Sequence, residues 1–234
     1  MYEELIAYGS PATVGPAVEP ISVEQLAAFS HFDAPDPTTD AADYALIQGF
    51  ISAAREEVEN QTGYALITQA WRLSIDRFPG FPINSTGVSE LLPSVPYYMP
   101  FYEPSFYQVD PTNSSIELMR KKVQSIIGIT YIDPSGDEQT FDSSMYTLFA
   151  NTISLKHGNF WPTCMPVPDC VRISYVCGFG DTAASVPQRL RTSVLYLAGH
   201  FYENRSLVAV EKTSDIANTM RLLLSGFRKL RVAK

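Results

Sequence analysis

The spacing of the apolar residues changes twice along the chain, and this limits the possible folds more than any other feature. Between residues 21 and 63 apolar residues recur every three or four positions, which is typical of amphipathic helices. From 64 to 178 short stretches alternate, as strands do, and from 185 to 226 the helical spacing returns. The sequence therefore predicts an α+β fold. A helical bundle of about four helices, two N-terminal and two C-terminal, carries an antiparallel β insert between helices 2 and 3.

Local signals mark where the helices begin and end. Ser22 and Gln25 are spaced to cap each other's backbone at the start of helix 1, and Ser185 and Gln188 have the same spacing before helix 3. Gly63 is a natural C-terminal stop for helix 2. Together these signals predict two helical pairs on either side of the insert.

Within the insert, the alternation predicts several short strands. Residues 67–76 place their apolar side chains mainly on odd positions, as expected of a half-buried strand. Asp133-Pro-Ser-Gly136 is a turn signal, which predicts that the strand before it returns as a hairpin. The segment 171–177 alternates cleanly and is the last predicted strand.

A single domain spanning 1–234 is predicted, because neither helical pair can bury its apolar face alone. Its parts are an extended N-terminal arm (1–20), helices (21–63), a β-rich insert (64–178) with an aromatic and proline-rich loop (80–114), helices (185–226) and a basic C-terminal tail (227–234).

The loop 80–114 has no periodicity and is unusually rich in aromatic residues. Loops of this length are commonly functional or disordered, and so many exposed aromatics are unusual on a monomer. Two interpretations remain open: a contact with another subunit or partner, or a lid packed over the domain's own sheet. The candidate contact residues are Tyr97, Tyr98, Phe101, Tyr102, Phe106 and Tyr107.

The net charge of −8 is unevenly distributed. Residues 1–60 carry eleven acidic residues and one basic residue, Arg55, whereas residues 211–234 carry six basic residues and two acidic ones. An acidic body with a basic tail indicates two surfaces with different partners, although a solvated acidic face and a frayed tail is the plain alternative.

No catalytic, cofactor-binding or metal site emerges, so no enzyme is predicted. Gly178-Phe-Gly180-Asp181 lacks the remaining residues of a nucleotide motif and is interpreted as a strand-to-helix turn. The spacing of His157, Cys164 and Cys170 fits no common zinc pattern. The run Arg120-Lys121-Lys122 is interpreted as a solvated strand edge rather than a DNA contact.

Cysteine usage and the N-terminus predict a location. The acidic start of the chain does not resemble a signal peptide, and no apolar run is long enough for a membrane span. The three cysteines are an odd number, so at least one has no intrachain partner. Without a secretory signal, all three are most simply reduced thiols in a cytoplasm.

Several segments, in order along most of the chain, resemble the head–tail connector (adaptor or head completion) family of tailed bacteriophages. None is a catalytic motif, and residues 81–114 are longer than that family leads us to expect. The matching segments are Glu19-Pro-Ile-Ser-Val-Glu, Ala45-Leu-Ile, the stretch from Ala53 to Gly63, the stretch from Ala65 to Pro79, Ile126-Ile-Gly-Ile-Thr-Tyr-Ile-Asp133, Gly136-Asp-Glu-Gln-Thr140, Val171 to Asp181, Val186-Pro, His200-Phe-Tyr-Glu-Asn-Arg205 and Leu224-Ser-Gly-Phe-Arg228.

The resemblance implies a non-enzymatic virion protein of the neck, assembled in the host cytoplasm. It implies a ring, expected to be a dodecamer, that lies under the portal protein, extends the DNA channel and receives a tail-side stopper or tail terminator protein. Viral DNA would pass through without specific binding, and no membrane is involved. The alternative is a DNA-binding or small hydrolytic phage accessory protein.

The basic tail is the predicted portal-docking element. It combines apolar anchors with cations directly after a helix whose apolar stripe is expected to end at Leu224, a mixture that suits an arm binding a partner's groove. The predicted docking residues are Phe227, Arg228, Lys229, Leu230, Arg231 and Val232.

Overall fold

Residues 1–8, 13–79, 115–204 and 213–227 are described by the computed structural model. They form four helices and two β-sheets, with the β-rich segment between the second and third helix, which confirms the predicted α+β class. The helices are α1 (Val23–Ser30), α2 (Ala41–Thr62), α3 (Gln188–Glu203) and α4 (Thr213–Leu224). The strands are β1 (Tyr2–Tyr8), β2 (Thr13–Val14), β3 (Gln69–Ile75), β4 (Ser115–Glu117), β5 (Val123–Ile132), β6 (Glu138–Thr140), β7 (Tyr146–Phe149), β8 (Thr152–Leu155) and β9 (Val171–Cys177).

The chain divides into two compact units. The helical unit comprises Glu3–Arg72, Met119–Ile127 and Ser174–Lys234, and the β unit comprises Met1–Tyr2, Leu73–Leu118 and Gly128–Ile173. The predicted insert, 64–178, therefore contributes to both units. That the whole chain is one domain stays a prediction, and the loop 80–114 lies outside the described residues.

The N-terminal helices begin and end where the sequence predicts. The backbone N–H of Gln25 donates to Ser22 Oγ (3.3 Å), and that of Ser22 donates to Gln25 Oε1 (3.1 Å), so the predicted capping box of α1 is present. α2 ends at Gly63, which adopts the left-handed conformation with φ 73° and donates its N–H to the Glu59 carbonyl. Glycine has no Cβ penalty in this conformation, which explains the stop.

Side chains from all four helices form the core of the helical unit. α2 packs against α3, and α1 and α4 also contact α3. The apolar stripe of α2 and that of α3 both face this core, as predicted. Its fully buried members include Leu26, Ile51, Ala54, Val58, Leu190, Val194 and Leu224. Each of these Leu, Ile and Val side chains contributes roughly 1.5–3 kcal/mol to stability by leaving water.

The predicted capping box of helix 3 is wrong. α3 begins at Gln188 with Pro187 at the N-cap position, and no side chain caps it. Ser185 instead ends a 3-10 turn, and its hydroxyl hydrogen-bonds with that of Thr182 (3.0 Å). Pro187 is extended, with ψ 135°, so the helix starts later than the spacing indicated. Ser185 is consequently too far from the free N–H groups to cap them.

Antiparallel pairing organises the strands of the β-rich segment. β5 and β6 form a hairpin around the predicted turn, with Thr130 opposite Thr140 and Ile132 opposite Glu138. Asp133 stabilises the turn because its carboxylate accepts the N–H groups of Ser135 and Asp137. β7 and β8 form a second hairpin that belongs to a three-stranded sheet of order β4-β8-β7.

The N-terminal residues differ from the predicted extended arm. Residues 2–8 form β1, which lies between β2 and β3 in a six-stranded sheet of order β2-β1-β3-β9-β5-β6. The Tyr-Glu-Glu-Leu-Ile-Ala-Tyr stretch does not alternate in hydrophobicity, so sequence periodicity gave no sign of a strand. Its pairing with distant strands decides its structure.

β3 is buried along nearly its whole length rather than half-buried. Six of its seven residues are buried. They include the polar residues Gln69, at an odd position, and Ser74, at an even one. β3 lies between β1 and β9 in the sheet, and a central strand can be covered on both faces. The polar residues Gln69 and Ser74 gave the appearance of a solvated face, but both are buried.

Aromatic side chains form the core of the β unit. Phe78 is fully buried and stacks on Trp161, with ring centroids 4.9 Å apart and planes 10° apart. Phe141 contacts both rings, and Tyr146 stacks on Phe141. Such ring pairs stabilise a fold by roughly 0.5–1.5 kcal/mol beyond the area they bury.

Candidate functional site

The end of α2, one basic side chain and the start of the C-terminal tail meet at one place in the helical unit. The backbone N–H of Lys121 donates to the Gly63 carbonyl (2.8 Å). The Lys121 ammonium donates to two further carbonyl oxygens, those of Thr62 (2.9 Å) and Phe227 (3.2 Å). α4 ends at Leu224, and Phe227 is the first residue of the predicted docking tail, so Lys121 fixes the point from which that tail departs.

Three aromatic rings surround this point. Tyr64 stacks on Phe179 (ring centroids 5.4 Å apart) and meets Phe227 edge-on (5.9 Å, 89°). The Lys121 ammonium lies 4.7 Å from the centroid of Tyr64, within the range of a cation–π contact. We call these residues, Thr62, Tyr64, Lys121, Phe179 and Phe227, the tail root. Burial lowers the pKa of Lys121 from its usual value.

Phe227 is therefore a packed residue of this chain. It is half-buried against the helical core, so the apolar stripe extends past Leu224, where the sequence analysis ended it. The cause is Tyr64, which lies far away in sequence and supplies the ring that Phe227 contacts. The other predicted docking residues, 228–232, lie outside the described residues, and their role stays a prediction.

Arg120 joins β1 to the rest of the helical unit. Its guanidinium lies 3.6 Å from a carboxylate oxygen of Glu3 and 4.1 Å from the centroid of Trp71. The Tyr175 hydroxyl donates to the same carboxylate and accepts the backbone N–H of Arg120. These side chains are largely buried. Sequence reasoning missed this cluster because its members come from four separate parts of the chain.

The Glu3 carboxylate has a shifted pKa. Burial raises the pKa of Glu3 above its usual value, although Tyr175 and Arg120 act in the opposite direction. Burial beside Glu3 also raises the pKa of Tyr175, so this phenol keeps its proton. Because the folded state favours protonated Glu3, its contribution to stability is complete below pH about 4.5 and is lost as pH rises through the raised pKa.

This shift predicts a pH-dependent effect of Glu3→Gln. The variant buries a neutral side chain at every pH, so it does not share the loss of stability that the wild type shows as pH rises. Its free energy of unfolding minus that of the wild type should therefore increase between pH about 4.5 and 7. Urea unfolding at several pH values measures the difference. Glu24→Gln is the control: a hydrogen bond from Ser22 lowers the pKa of Glu24, so the trend should have the opposite sign. Parallel profiles for wild type and Glu3→Gln would contradict the assignment.

The basic run is not the solvated strand edge that the sequence predicted. Arg120 and Lys121 bind groups of their own chain, and Lys122 is the exposed member of the run. The run lies between β4 and β5, where Lys121 forms an isolated bridge with Tyr64. Buried acceptors with no local sequence signal, such as Glu3 and the Thr62 carbonyl, account for the difference.

The acidic N-terminal part of the chain presents an acidic surface. Arg55, the single cation of residues 1–60, is 5% exposed and binds Glu19 (2.9 Å) and Glu59 (3.0 Å). It is held inside the helical unit and also contacts one exposed carboxylate, that of Glu56 (3.4 Å), so it does not offset the other exposed carboxylates around α1 and α2. The exposed carboxylates are those of Glu24, Asp33, Asp36, Asp40, Asp43, Glu56 and Glu57.

The glycine turn after β9 fits against the backbone before β3. A Cβ on Gly178 would lie 2.7 Å from the backbone of Ile67 and Thr68, and its φ of 140° is rare for other residues. The N–H of Phe179 donates to the Leu66 carbonyl, and that of Thr68 donates to the Gly180 carbonyl. A Cβ on Gly180 would lie 2.6 Å from the Ser185 hydroxyl oxygen. Close approach of backbone at Gly178 and of a side chain at Gly180 accounts for both glycines, in agreement with the predicted strand-to-helix turn.

The histidine and cysteine candidates form no metal cluster. In the described ranges no group of three or more His, Cys, Asp or Glu side chains is arranged to hold a metal ion. His200 Nδ1 hydrogen-bonds with the Asn204 amide (2.8 Å). The part of the chain that the structure describes also contains no helix long and apolar enough to cross a bilayer.

Two apolar side chains of the β unit are exposed without any prior indication. Phe149 is 80% exposed at the β7–β8 turn, and Phe160 is 83% exposed just before Trp161. Isolated exposed apolar residues are common, but phenylalanines this exposed mark candidate contact points. The predicted contact residues of the aromatic loop, from Tyr97 to Tyr107, lie outside the described residues.

Comparison with known proteins gives likeness at the level of structure. No protein-family model matches the sequence, and no curated protein matches it. A chain of "Neck of empty GTA particle computed with C6 symmetry" is similar with a TM-score of 0.68 and 18% identity, covering 99% of this chain and 97% of that one. A chain of "Virion of native gene transfer agent (GTA) particle" has a TM-score of 0.65, 18% identity and the same coverage.

A further chain, from "Neck of native GTA particle computed with C12 symmetry", has a TM-score of 0.56 and 19% identity, covering 92% of this chain and 96% of that one. The likeness spans nearly the full length of both partners in each comparison. The chain therefore has the same fold as proteins from the neck and virion of gene transfer agent particles.

Proposed function

We propose that this chain is a structural subunit of the neck of a tailed phage or phage-like particle, where it forms a ring under the portal. The single observation that supports this most is the fold shared over 99% of the chain with a protein from the neck of a gene transfer agent particle. A head-to-tail contact between identical subunits closes into a ring when its rotation permits. The ring extends the DNA channel and receives the tail-side stopper or terminator protein.

The acidic surface supports a channel through which DNA passes without binding. The exposed carboxylates of α1, α2 and the segment between them repel phosphates, and buried Arg55 contacts only Glu56 among them. Basic surfaces do the opposite, because they bind DNA by releasing counterions. We therefore assign the α1–α2 surface to the channel side of the ring.

The tail supports docking on the portal. Phe227 is fixed in the tail root, so the docking residues in this proposal are Arg228, Lys229, Leu230, Arg231 and Val232, with Phe227 as their anchor on the subunit. Arginine pairs with carboxylates in a geometrically specific, bidentate way, which suits a docking contact. The aromatic residues Tyr97, Tyr98, Phe101, Tyr102, Phe106 and Tyr107 are proposed as a second contact, with another subunit or partner.

A DNA-binding function has less support. It would need an exposed basic face, and Arg120 and Lys121 are engaged within the chain. A gel-shift experiment with duplex DNA at low salt should show no retarded band. A salt-sensitive shift would favour the DNA-binding alternative over a passive channel.

Electron microscopy of the protein with its portal tests the proposal. We expect particles with an open channel and about twelve copies of this chain in a ring below the portal, to match the portal symmetry. The protein alone can remain monomeric, because ordering an interface costs entropy that the portal template offsets. Protein that stays unbound when assembled portal is present in excess would overturn the proposal.

A further inference from the structure

Two of the three cysteines lie side by side in the β unit. The Cys170 side chain donates to the Ile132 carbonyl (3.3 Å), and the backbone N–H of Met165 donates to the same oxygen (2.9 Å). Cys164 precedes Met165, so this shared acceptor holds both cysteines at one point beside β5. Burial and the neighbouring Cys164 thiol both raise the pKa of Cys170, which agrees with the two side chains being neighbours.

The loop that carries them is fixed at both ends. Besides the Met165 bond, the Asp169 N–H donates to the Asp76 carboxylate (3.2 Å), and the Ile132 N–H donates to the Cys170 carbonyl (3.0 Å). Thiols held together in this way need little rearrangement to bond covalently, and native strain is the usual reason that a disulfide fails to form.

Access differs between the two thiols. Cys164 is half-buried and lines an open cleft of about 390 Å³ together with Asp76, Arg77 and residues of its own loop. Cys170 is 1% exposed, and burial raises its pKa to about 11. Reactivity of a thiol requires access and a thiolate. Cys164 is therefore the thiol that reacts first with a reagent from solution.

We propose that Cys164 and Cys170 are a redox pair that closes to a disulfide when the protein meets a small-molecule disulfide. The Cys164 thiolate attacks one sulfur of that reagent and releases its other half as a thiolate. Cys170 then loses its proton to water and attacks Cys164 Sγ, releasing the second half. One disulfide is made and one is broken, and the reagent is reduced to two thiols. This chemistry is independent of the proposed neck function.

A change of compartment would trigger the reaction. The reducing cytoplasm keeps both thiols free, and disulfides form and persist outside it. Closure would cross-link the two ends of the loop from Cys164 to Cys170 to each other, and Cys170 would give up its S–H donation to the Ile132 carbonyl. Cys177 is fully buried in the helical unit, so we expect it to remain a thiol.

Thiol mapping tests the pair directly. The full chain is reduced, exposed to oxidised glutathione at neutral pH, alkylated and digested with trypsin, which cuts at Lys156 and Arg172 and so places both cysteines on one peptide. We expect this peptide to lose two hydrogens and take up no alkylating reagent, while the peptide containing Cys177 stays fully alkylated. The melting temperature should rise by about 4–8 °C on oxidation.

Cysteine variants show which thiols form the disulfide and raise the melting temperature. Cys177→Ala should behave as the wild type, whereas Cys164→Ser and Cys170→Ser should each lose the internal bond and the rise in melting temperature. Two alkylated cysteines on the wild-type peptide after oxidation would overturn the proposal. A stable glutathione adduct on Cys164 would also overturn it, because it would show that Cys170 does not attack.

Discussion

Deleting residues 228–234 should abolish docking on the portal and leave the fold intact. The deletion removes four cations and two apolar side chains but keeps Phe227 in the tail root. We expect portal affinity to fall at least about 100-fold, and circular dichroism and melting temperature to stay unchanged. Assembled heads should fill with DNA but fail to hold it or join tails. Surface plasmon resonance on immobilised portal measures the loss.

The position of the cut matters because of Phe227. A deletion that starts at Phe227 also removes its contact with Tyr64 and one of the two carbonyl acceptors of the Lys121 ammonium, so it should lower stability by about 1–3 kcal/mol.

Arg228→Ala and Arg231→Ala should each weaken docking, and salt should mimic them in part. Arg221→Ala, an exposed cation of α4, is the matched control and should have no effect. Unchanged docking after the shorter deletion would direct attention to residues 97–107.

Among single substitutions inside the fold, Gly178→Ala should be the one that lowers stability most. The new Cβ would lie 2.7 Å from the Ile67 carbonyl group and the Thr68 nitrogen, and neither backbone can move without breaking the bonds to Gly180 and Phe179. We expect a loss of about 3–5 kcal/mol and a melting temperature lower by about 6–20 °C. Urea and thermal unfolding measure both quantities.

Gly49→Ala is the control for this substitution. Gly49 lies within α2, and a Cβ there would meet nothing within 4 Å. Alanine should therefore raise stability by about 0.5–1 kcal/mol through its higher helix propensity. If Gly178→Ala and Gly49→Ala had similar effects, the close approach of the turn to residues 67 and 68 would not be a constraint.

Features set by neighbouring residues were predictable from the sequence. The Ser22–Gln25 cap, the stop at Gly63 and the Asp133 turn each depend on residues a few positions apart, and the structure contains all three. The cap expected at Ser185 failed because Pro187 delays the helix, an effect of backbone geometry that spacing alone does not reveal.

Features set by distant residues were not predictable. β1 has no alternating pattern, and its place in the sheet depends on Arg120 and Tyr175, more than a hundred positions away. Arg55 and Glu59 lie on the buried side of α2 because Glu19 and the 66–69 segment satisfy them. Phe227 likewise packs because of Tyr64. In each case tertiary contacts override the local preference that a pattern records.

The position of β3 between β1 and β9 has a consequence for how the chain folds. Its neighbour β9 follows about a hundred residues later, so the central strand is synthesised long before one of its edges can be covered. Until β9 leaves the ribosome, the edge of β3 that pairs with β9 is open to pairing with strands of other nascent chains. Helices α1 and α2 can form early, but the sheet closes only after Cys177. Expression at reduced temperature, or together with a chaperone that binds unfolded chains, should therefore increase the yield of soluble protein.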